Sequence, residues 1–451
     1  MSGSNPPRRP TLAGVFNISP QEAPAVTAGL LLFFLLFTAY FMLRPVRETM
    51  GVAGGIDNLQ WLFTGTFVAT LIALPLFGWL ASKVSRRHIL PWTYGFFVLN
   101  LLAFAVSFAS QPDNLWAARA FYVWLSVFNL LSISLAWSVL ADILASSEAK
   151  RLFALIAGGA SLGGLTGPIL GTLLVAPLGH AGLVLLSGLF LAASIAAAMW
   201  LRAWRDGQPT PASAATAAPS ARPLGGHPFA GATEIFRSPY LMGMALFVVL
   251  LASANTFLYF EQARLVAETF SDRTRQTQVF GMIDTVVQSL AILTQVFVTG
   301  RIAQKFGTGV LLVAVPLVVA AGFLWLALAP VFAVFVVVMV VRRAGEYALV
   351  RPGREMLYTV VPTEQKYKAK NFIDTVVYRG GDAVSGWVKR GLDLLSEQPA
   401  LAMLIGAGLA LVWAGTGGWL GRQHRQQENA PVFDEAPFAP VGIGAGSGNP
   451  S

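Results

Sequence analysis

The chain has 451 residues, of which 55% are hydrophobic and only 12% charged. That charge content is about half that of a soluble domain, and the mean hydropathy is +0.62. The absence of cysteine excludes disulfides, thiolate catalysis and sulfur-ligated metals, and His88, His180, His227 and His424 form no metal-ligand spacing.

Six apolar runs come first, at 23–43, 59–81, 90–108, 116–140, 152–176 and 181–201. A bilayer needs about 20 residues per helical crossing. The first run is long enough for that and lacks a small-residue cleavage site, so it is expected to be a retained helix rather than a signal peptide. The segment 205–237 is rich in Ala, Pro, Ser and Thr, cannot bury a core and reads as a linker. Six more runs follow at 241–260, 279–298, 309–328, 331–358, 372–395 and 401–420. The pattern predicts an all-α membrane protein of about twelve transmembrane helices in two six-helix halves, 23–203 and 239–421. A cytoplasmic tail at 1–22, a cytoplasmic linker at 204–238 and a disordered tail at 422–451 complete the expected organisation.

Orientation follows from the basic residues, because cytoplasmic loops carry the excess of Lys and Arg. With the N-terminus inside, the inner loops hold Lys83, Arg86, Arg87, Lys150, Arg151, Arg202, Arg205, Arg301, Lys305, Lys366, Lys368 and Lys370. The outer loops hold chiefly Arg264, Arg273 and Arg275. Both termini are therefore expected in the cytoplasm, in a cell inner membrane. The net charge of +9 fits basic loops against anionic lipid. No nucleic-acid motif is present, and nucleic acid is not an expected partner. The expected partners are the bilayer and a small anionic solute, with the chain as a monomer and no metal or cofactor.

The loop Gly78-Trp-Leu-Ala-Ser-Lys-Val-Ser-Arg-Arg87 is echoed by Gly300-Arg-Ile-Ala-Gln-Lys-Phe-Gly-Thr-Gly309, and Ala149-Lys150-Arg151 by Ala369-Lys370-Asn371. Two echoes at nearly one offset imply a duplicated six-helix unit, as in many secondary transporters. The loop pattern resembles the signature loop of the major facilitator superfamily, with Ser82 and Gln304 where that family has an acid. Gly163, Gly167, Pro168 and Gly171 resemble the glycine-rich signature of its antiporters. Their physical content is close helix approach at small residues.

Other stretches resemble the ATP/ADP translocases. They are Arg44-Pro-Val-Arg47-Glu48-Thr49, Phe260-Glu261 to Arg264, Glu346 to Tyr358, and Lys366 to Arg379 followed by Gly381. Val350-Arg351 stands where that family has Phe-Asp, and Asp382 where it has lysine. The resemblance implies a divergent relative that exchanges nucleotides or other phosphorylated or organic anions.

An ionisable residue at membrane depth costs roughly 2.5–3.5 kcal/mol at a helix centre, so it faces a partner or a watery cavity. Arg44, Arg47 and Glu48 are placed at the outer end of the first helix. Arg342, Arg343, Glu346, Arg351, Arg354 and Glu355 follow a run too short to cross alone, and the spacing of Arg351, Arg354 and Glu355 puts them on one helical face. Pro352 is expected to break or kink that helix. Asp374 and Arg379 fall in the eleventh run. The candidate substrate-binding residues are therefore Arg44, Arg47, Glu48, Glu261, Arg264, Arg351, Arg354, Glu355, Asp374 and Arg379. The candidate gating or structural residues are Gly78, Lys83, Arg86, Asp142, Lys150, Arg151, Gly163, Gly167, Pro168, Gly171, Gly300, Lys305 and Lys370, with Asp142 a partner for Lys150 and Arg151 or a helix-end acid.

No phosphate-binding GxxxxGK[ST] loop, HExxH or GxSxG occurs, so neither primary ATP-driven pumping nor an enzyme is expected. The expected function is secondary transport of a small anionic solute by alternating access. The alternative is a transporter-shaped sensor or scaffold.

Overall fold

The computed structural model describes Ser19 and residues 21–144, 146–208, 231–396 and 398–429. Its helices are α1 (Ala23–Ala53), α2 (Leu59–Lys83), α3 (Ile89–Ser110), α4 (Leu115–Ile143), α5 (Ser146–Asp206), α6 (Ala232–Arg237) and α7 (Pro239–Thr269). They continue as α8 (Arg273–Thr294), α9 (Gly300–Leu328), α10 (Phe332–Gly345), α11 (Arg351–Leu357), α12 (Thr363–Phe372), α13 (Tyr378–Leu395) and α14 (Pro399–Glu428). Eight stretches are long and apolar enough to cross a membrane. Two of these, Leu152–Asp206 and Arg273–Leu328, are double-length, and each turns back at a glycine of positive φ, Gly179 at 66° and Gly307 at 76°. Two further passages, α10 with α11 and α12 with α13, carry too many charges to qualify by composition. Twelve passages result among the described residues.

The reversal in α5 is visible in what its two arms touch. A Cβ added at Gly159, Gly163, Gly167 or Gly171 would meet α1 at Leu30, Phe34, Thr38 and Met42 in turn, so the first arm climbs alongside α1. The second arm descends: Ser187 Oγ donates to Ala39 O at 3.0 Å, and Trp204 Nε1 donates to Gln21 O at 2.9 Å. Glycine alone lets two helix backbones approach this closely. The glycine-rich signature thus serves packing between α1 and α5. The second half repeats the device, with Gly417 against Leu312 and Gly421 against Gly309 where α14 crosses α9.

Three π-helical turns interrupt the second half, at Gln295–Thr299, Glu346–Val350 and Ile373–Val377. The break expected at Pro352 occurs one turn earlier, at Glu346–Val350, and Pro352 lies in the first turn of α11. Proline has no N–H to offer the carbonyl four residues back. That carbonyl, Ala348 O, accepts Thr299 Oγ1 at 2.8 Å instead, and Gln295 Nε2 donates to Tyr347 O at 2.9 Å. The lost backbone bond is thereby replaced by a neighbouring helix.

Several expectations need correction. Helix α1 continues to Ala53, so Arg44, Arg47 and Glu48 lie within the helix rather than at its end. Helix α14 runs on to Glu428, which makes the first part of the expected disordered tail helical. A Cβ on Gly300 would meet nothing within 4 Å, so this loop glycine makes no close helix approach. Residues 231–238 of the expected linker contain α6, while 209–230 lie outside the described residues, as do 1–18 and 430–451.

Candidate functional site

A cavity of about 760 Å³ lies between the halves. The first half contributes α1, α2, α4 and α5. The second contributes α7, α8 and the broken passages from Met339 to Asp382. Its lining runs from Glu48 down to Ala160, which lies beside the first turns of α1. The cavity therefore reaches toward the end of the bundle that holds the start of α1 and the close of α14.

At the opposite end the halves are joined. Thr49 Oγ1 lies 2.7 Å from Thr277 Oγ1, and His180 Nε2 lies 2.9 Å from the same Thr277 hydroxyl. Arg273 pairs with Asp113 at 3.1 Å and donates to Pro112 O at 2.6 Å. Arg390 pairs with Asp57 at 2.8 Å, and the Trp61 and Trp387 rings meet edge to face at 4.8 Å.

Seven arginines and five carboxylates line the cavity: Arg44, Arg47, Arg342, Arg343, Arg351, Arg354 and Arg379 against Glu48, Glu346, Glu355, Asp374 and Asp382. Most of them have a close partner. Arg47 pairs with Glu48 at 3.1 Å, donates to Tyr122 O and Ser126 Oγ, and stacks 3.8 Å from the Tyr122 ring. Arg354 pairs with Asp374 at 3.0 Å, Lys370 with Glu355 at 2.5 Å, and Arg379 with Asp382 at 3.5 Å. Arg342 pairs with Glu346 at 3.1 Å and bonds Asn255, whose amide also donates to Glu346. Arg343 pairs with Asp284 at 2.5 Å. Low-dielectric surroundings make these pairs obligatory: a buried charge left alone costs several kcal/mol, on the order of 3–5 when one partner is removed.

Eight of the ten expected substrate-binding residues reach the cavity. Glu261 and Arg264 are absent from its lining; they pair with one another at 2.5 Å, and Arg264 also holds Glu268 at 2.9 Å. Arg342, Arg343, Glu346, Tyr347 and Asp382 join the site from helices already suspected. Asp284 is wholly missed by the motifs. It is 2% exposed in the middle of α8, and its signal was available as a lone acid in the apolar run 279–298.

Of the expected gating residues, Asp142 pairs with Arg86 at 2.8 Å, while the side chains of Lys150 and Arg151 lie outside the described residues. Arg202 Nη2 caps the same corner by donating to Arg86 O at 2.6 Å. Lys83 is exposed in the last turn of α2, near Gly78, and Lys305 is exposed over the Phe306 ring at 5.4 Å. Thr172 Oγ1 donates to Pro168 O at 2.8 Å.

Among solved structures, a point mutant of the nucleoside transporter NupG superposes with a TM-score of 0.57 at 15% identity, over 89% of this chain and 99% of that one. A POT family transporter in complex with a thioalcohol-conjugated peptide gives 0.63 at 11%, over 89% and 99%. A bacterial homologue of the human lysosomal transporter Spinster, inward-facing and unoccupied, gives 0.58 at 14%, over 92% and 100%. At such identities these likenesses show the fold. No curated protein sequence matches the chain. The model of the Major Facilitator Superfamily matches residues 26–366. With twelve passages, a cavity between two halves and that match, the chain belongs to the major facilitator superfamily and is a transporter rather than an enzyme.

Proposed function

We propose that the chain is a secondary transporter that carries a small anionic solute by alternating access across a cell inner membrane. The observation that supports this most is the cavity lining, where arginines outnumber carboxylates seven to five. Arginine's planar fork suits carboxylate and phosphate oxygens. A positive, low-dielectric cleft also concentrates anions.

Closure at one end, through Thr49, Thr277, Arg273 and Arg390, is compatible with a conformation open toward the termini, which we assign to the cytoplasm. Two structural neighbours, the Spinster homologue and a bacterial ferroportin homologue, are themselves described as inward-facing. The resemblance to ATP/ADP translocases favours a nucleotide or another phosphorylated or organic anion, taken up by exchange. Asp382, in place of lysine, argues for a substrate that differs from theirs. The two halves read as the duplicated unit that the loop echoes imply, and the chain as a monomer.

The test is uptake of labelled organic anions into vesicles containing the purified chain. Saturable uptake that Arg44→Gln abolishes supports the proposal. Specific binding without any flux or exchange would instead make the chain a sensor and sink the transport assignment.

A further inference from the structure

Pairing the charges one by one isolates a single corner of the cavity where positive charge is left over. Arg47, Arg354, Arg379 and Lys370 each have a carboxylate of their own. Asp284 and Glu346 do not serve one arginine each. Asp284 holds Arg343 at 2.5 Å and Arg44 at 3.7 Å. Glu346 holds Arg342 at 3.1 Å and Arg351 at 3.7 Å.

Two carboxylates thus answer four guanidiniums, and the two loosely held arginines converge on Tyr347. Arg44 Nη1 donates to Tyr347 Oη at 3.0 Å, and the Arg351 guanidinium lies 4.4 Å from the centre of its ring. The acids cannot swing out to compensate, since their side chains are 3% and 7% exposed. The Arg351 side chain, at 58%, faces the open cavity.

We propose that this corner is the seat of a doubly charged anionic group, a phosphate monoester or a dicarboxylate, gripped by Arg44 from the first half and Arg351 from the second. Two excess positive charges at membrane depth are costly without a counter-charge, and a dianion supplies both. Each guanidinium retains fork donors for two oxygens. The Tyr347 hydroxyl, which accepts from Arg44, keeps its own hydrogen to donate to a third oxygen. A group that bridges Arg44 and Arg351 also ties the halves together beside their shared contact at Asp284. This inference rests on the anionic reading above and adds the charge and the place.

The test compares phenyl phosphate, succinate, benzoate and benzyl alcohol for binding to the full-length purified chain, near neutral pH, where a phosphate monoester carries about −1.5 to −2. Phenyl phosphate is expected to bind at least about tenfold more tightly than benzoate, a gap of about 1.4 kcal/mol. Arg44→Gln and Arg351→Gln should each erase that gap. Arg351→Lys keeps the charge and serves as the check on folding; it should recover only part of the affinity. Succinate binding like phenyl phosphate identifies charge count as what is recognised, and succinate binding like benzoate identifies the phosphate form. Equal affinity for phenyl phosphate and benzoate, both lost in the arginine variants, overturns the divalent seat and leaves the anionic reading standing. Benzyl alcohol binding as well as either overturns both. Absence of binding by both divalent probes, or an unchanged gap in folded Arg351→Gln, also overturns the proposal.

Discussion

Arg354 Nη2 lies 3.0 Å from Asp374 Oδ1, joining α11 to the π turn that leads into α13. Both residues line the cavity. Their charges nevertheless cancel. Arg354→Gln should leave Asp374 unpaired and lower stability by about 1–3 kcal/mol, below the full cost of a buried pair because Asp374 is partly exposed. The double variant Arg354→Gln, Asp374→Asn should lose less than the sum of the singles. Anion affinity in Arg354→Gln should fall less than in Arg351→Gln. A large affinity loss with an unchanged melting temperature would make Arg354 a direct ligand instead.

Close packing of α1 on α5 gives a sharper stability prediction. A Cβ at Gly167 would sit 2.8 Å from Thr38 O, Met42 N and the Phe41 Cβ, mostly backbone that cannot move aside. Gly167→Ala should therefore destabilise by about 1–3 kcal/mol through overpacking. Gly158, one helix face away with nothing within 4 Å, should tolerate alanine or gain stability from its better helix propensity. Melting curves of the two variants in the same detergent check this directly.

The closed end should be adjustable. Arg273–Asp113 and Arg390–Asp57 are partly exposed pairs, each worth about 0–1 kcal/mol. Arg273→Gln with Arg390→Gln should shift the conformational balance toward opening at that end by up to about thirtyfold. Since the chain has no cysteine, Asn129→Cys in the cavity offers a single labelling site. A membrane-impermeant thiol reagent added from that end should label it faster in the double variant. Unchanged labelling would show that these pairs do not hold the end shut.

Topology is testable by reporter fusions after Gln208 and after Gln427. Both positions lie at the end of the bundle where α1 begins, as the Trp204–Gln21 bond and the antiparallel crossing of α14 on α9 require. Both fusions should report cytoplasm, following the basic loops. Opposite signals from the two would contradict the fold, and periplasmic signals from both would invert the orientation.

Runs near 20 apolar residues made ten of the passages legible from sequence, because a bilayer imposes that length. The remaining two, α10 with α11 and α12 with α13, looked weak for the reason that they matter. Their charges face the cavity and spoil the hydropathy. Arg44, Arg47, Arg351 and Arg354 could be suspected one at a time, since an arginine in an apolar run needs an explanation. What each one pairs with could not. Arg44 meets Tyr347 across 303 positions of chain, and helical periodicity relates only residues three or four apart. Asp284 was missed because no motif surrounds it. Glu261 and Arg264 were selected by motif, yet their i,i+3 spacing lets them satisfy each other away from the cavity.

The three π turns all fall in the second half and all carry cavity residues: Gln295, Glu346 with Tyr347, and Asp374 with Thr375. Each turn stores one residue more than a regular helix does. Releasing it would rotate the adjoining segment by about 100°, one residue's share of a 3.6-residue turn. Arg351 and Arg379 stand directly downstream of two of them, so a small change in winding would re-aim these guanidiniums without moving a whole helix. The first half has no such slack among its described residues; its glycine contacts lock α1 to α5. The two halves are thus mechanically unequal, one a stiff wall and the other an adjustable one. Amide exchange altered by a bound anion should accordingly concentrate between Glu346 and Tyr378 and leave Gly159–Gly171 unchanged.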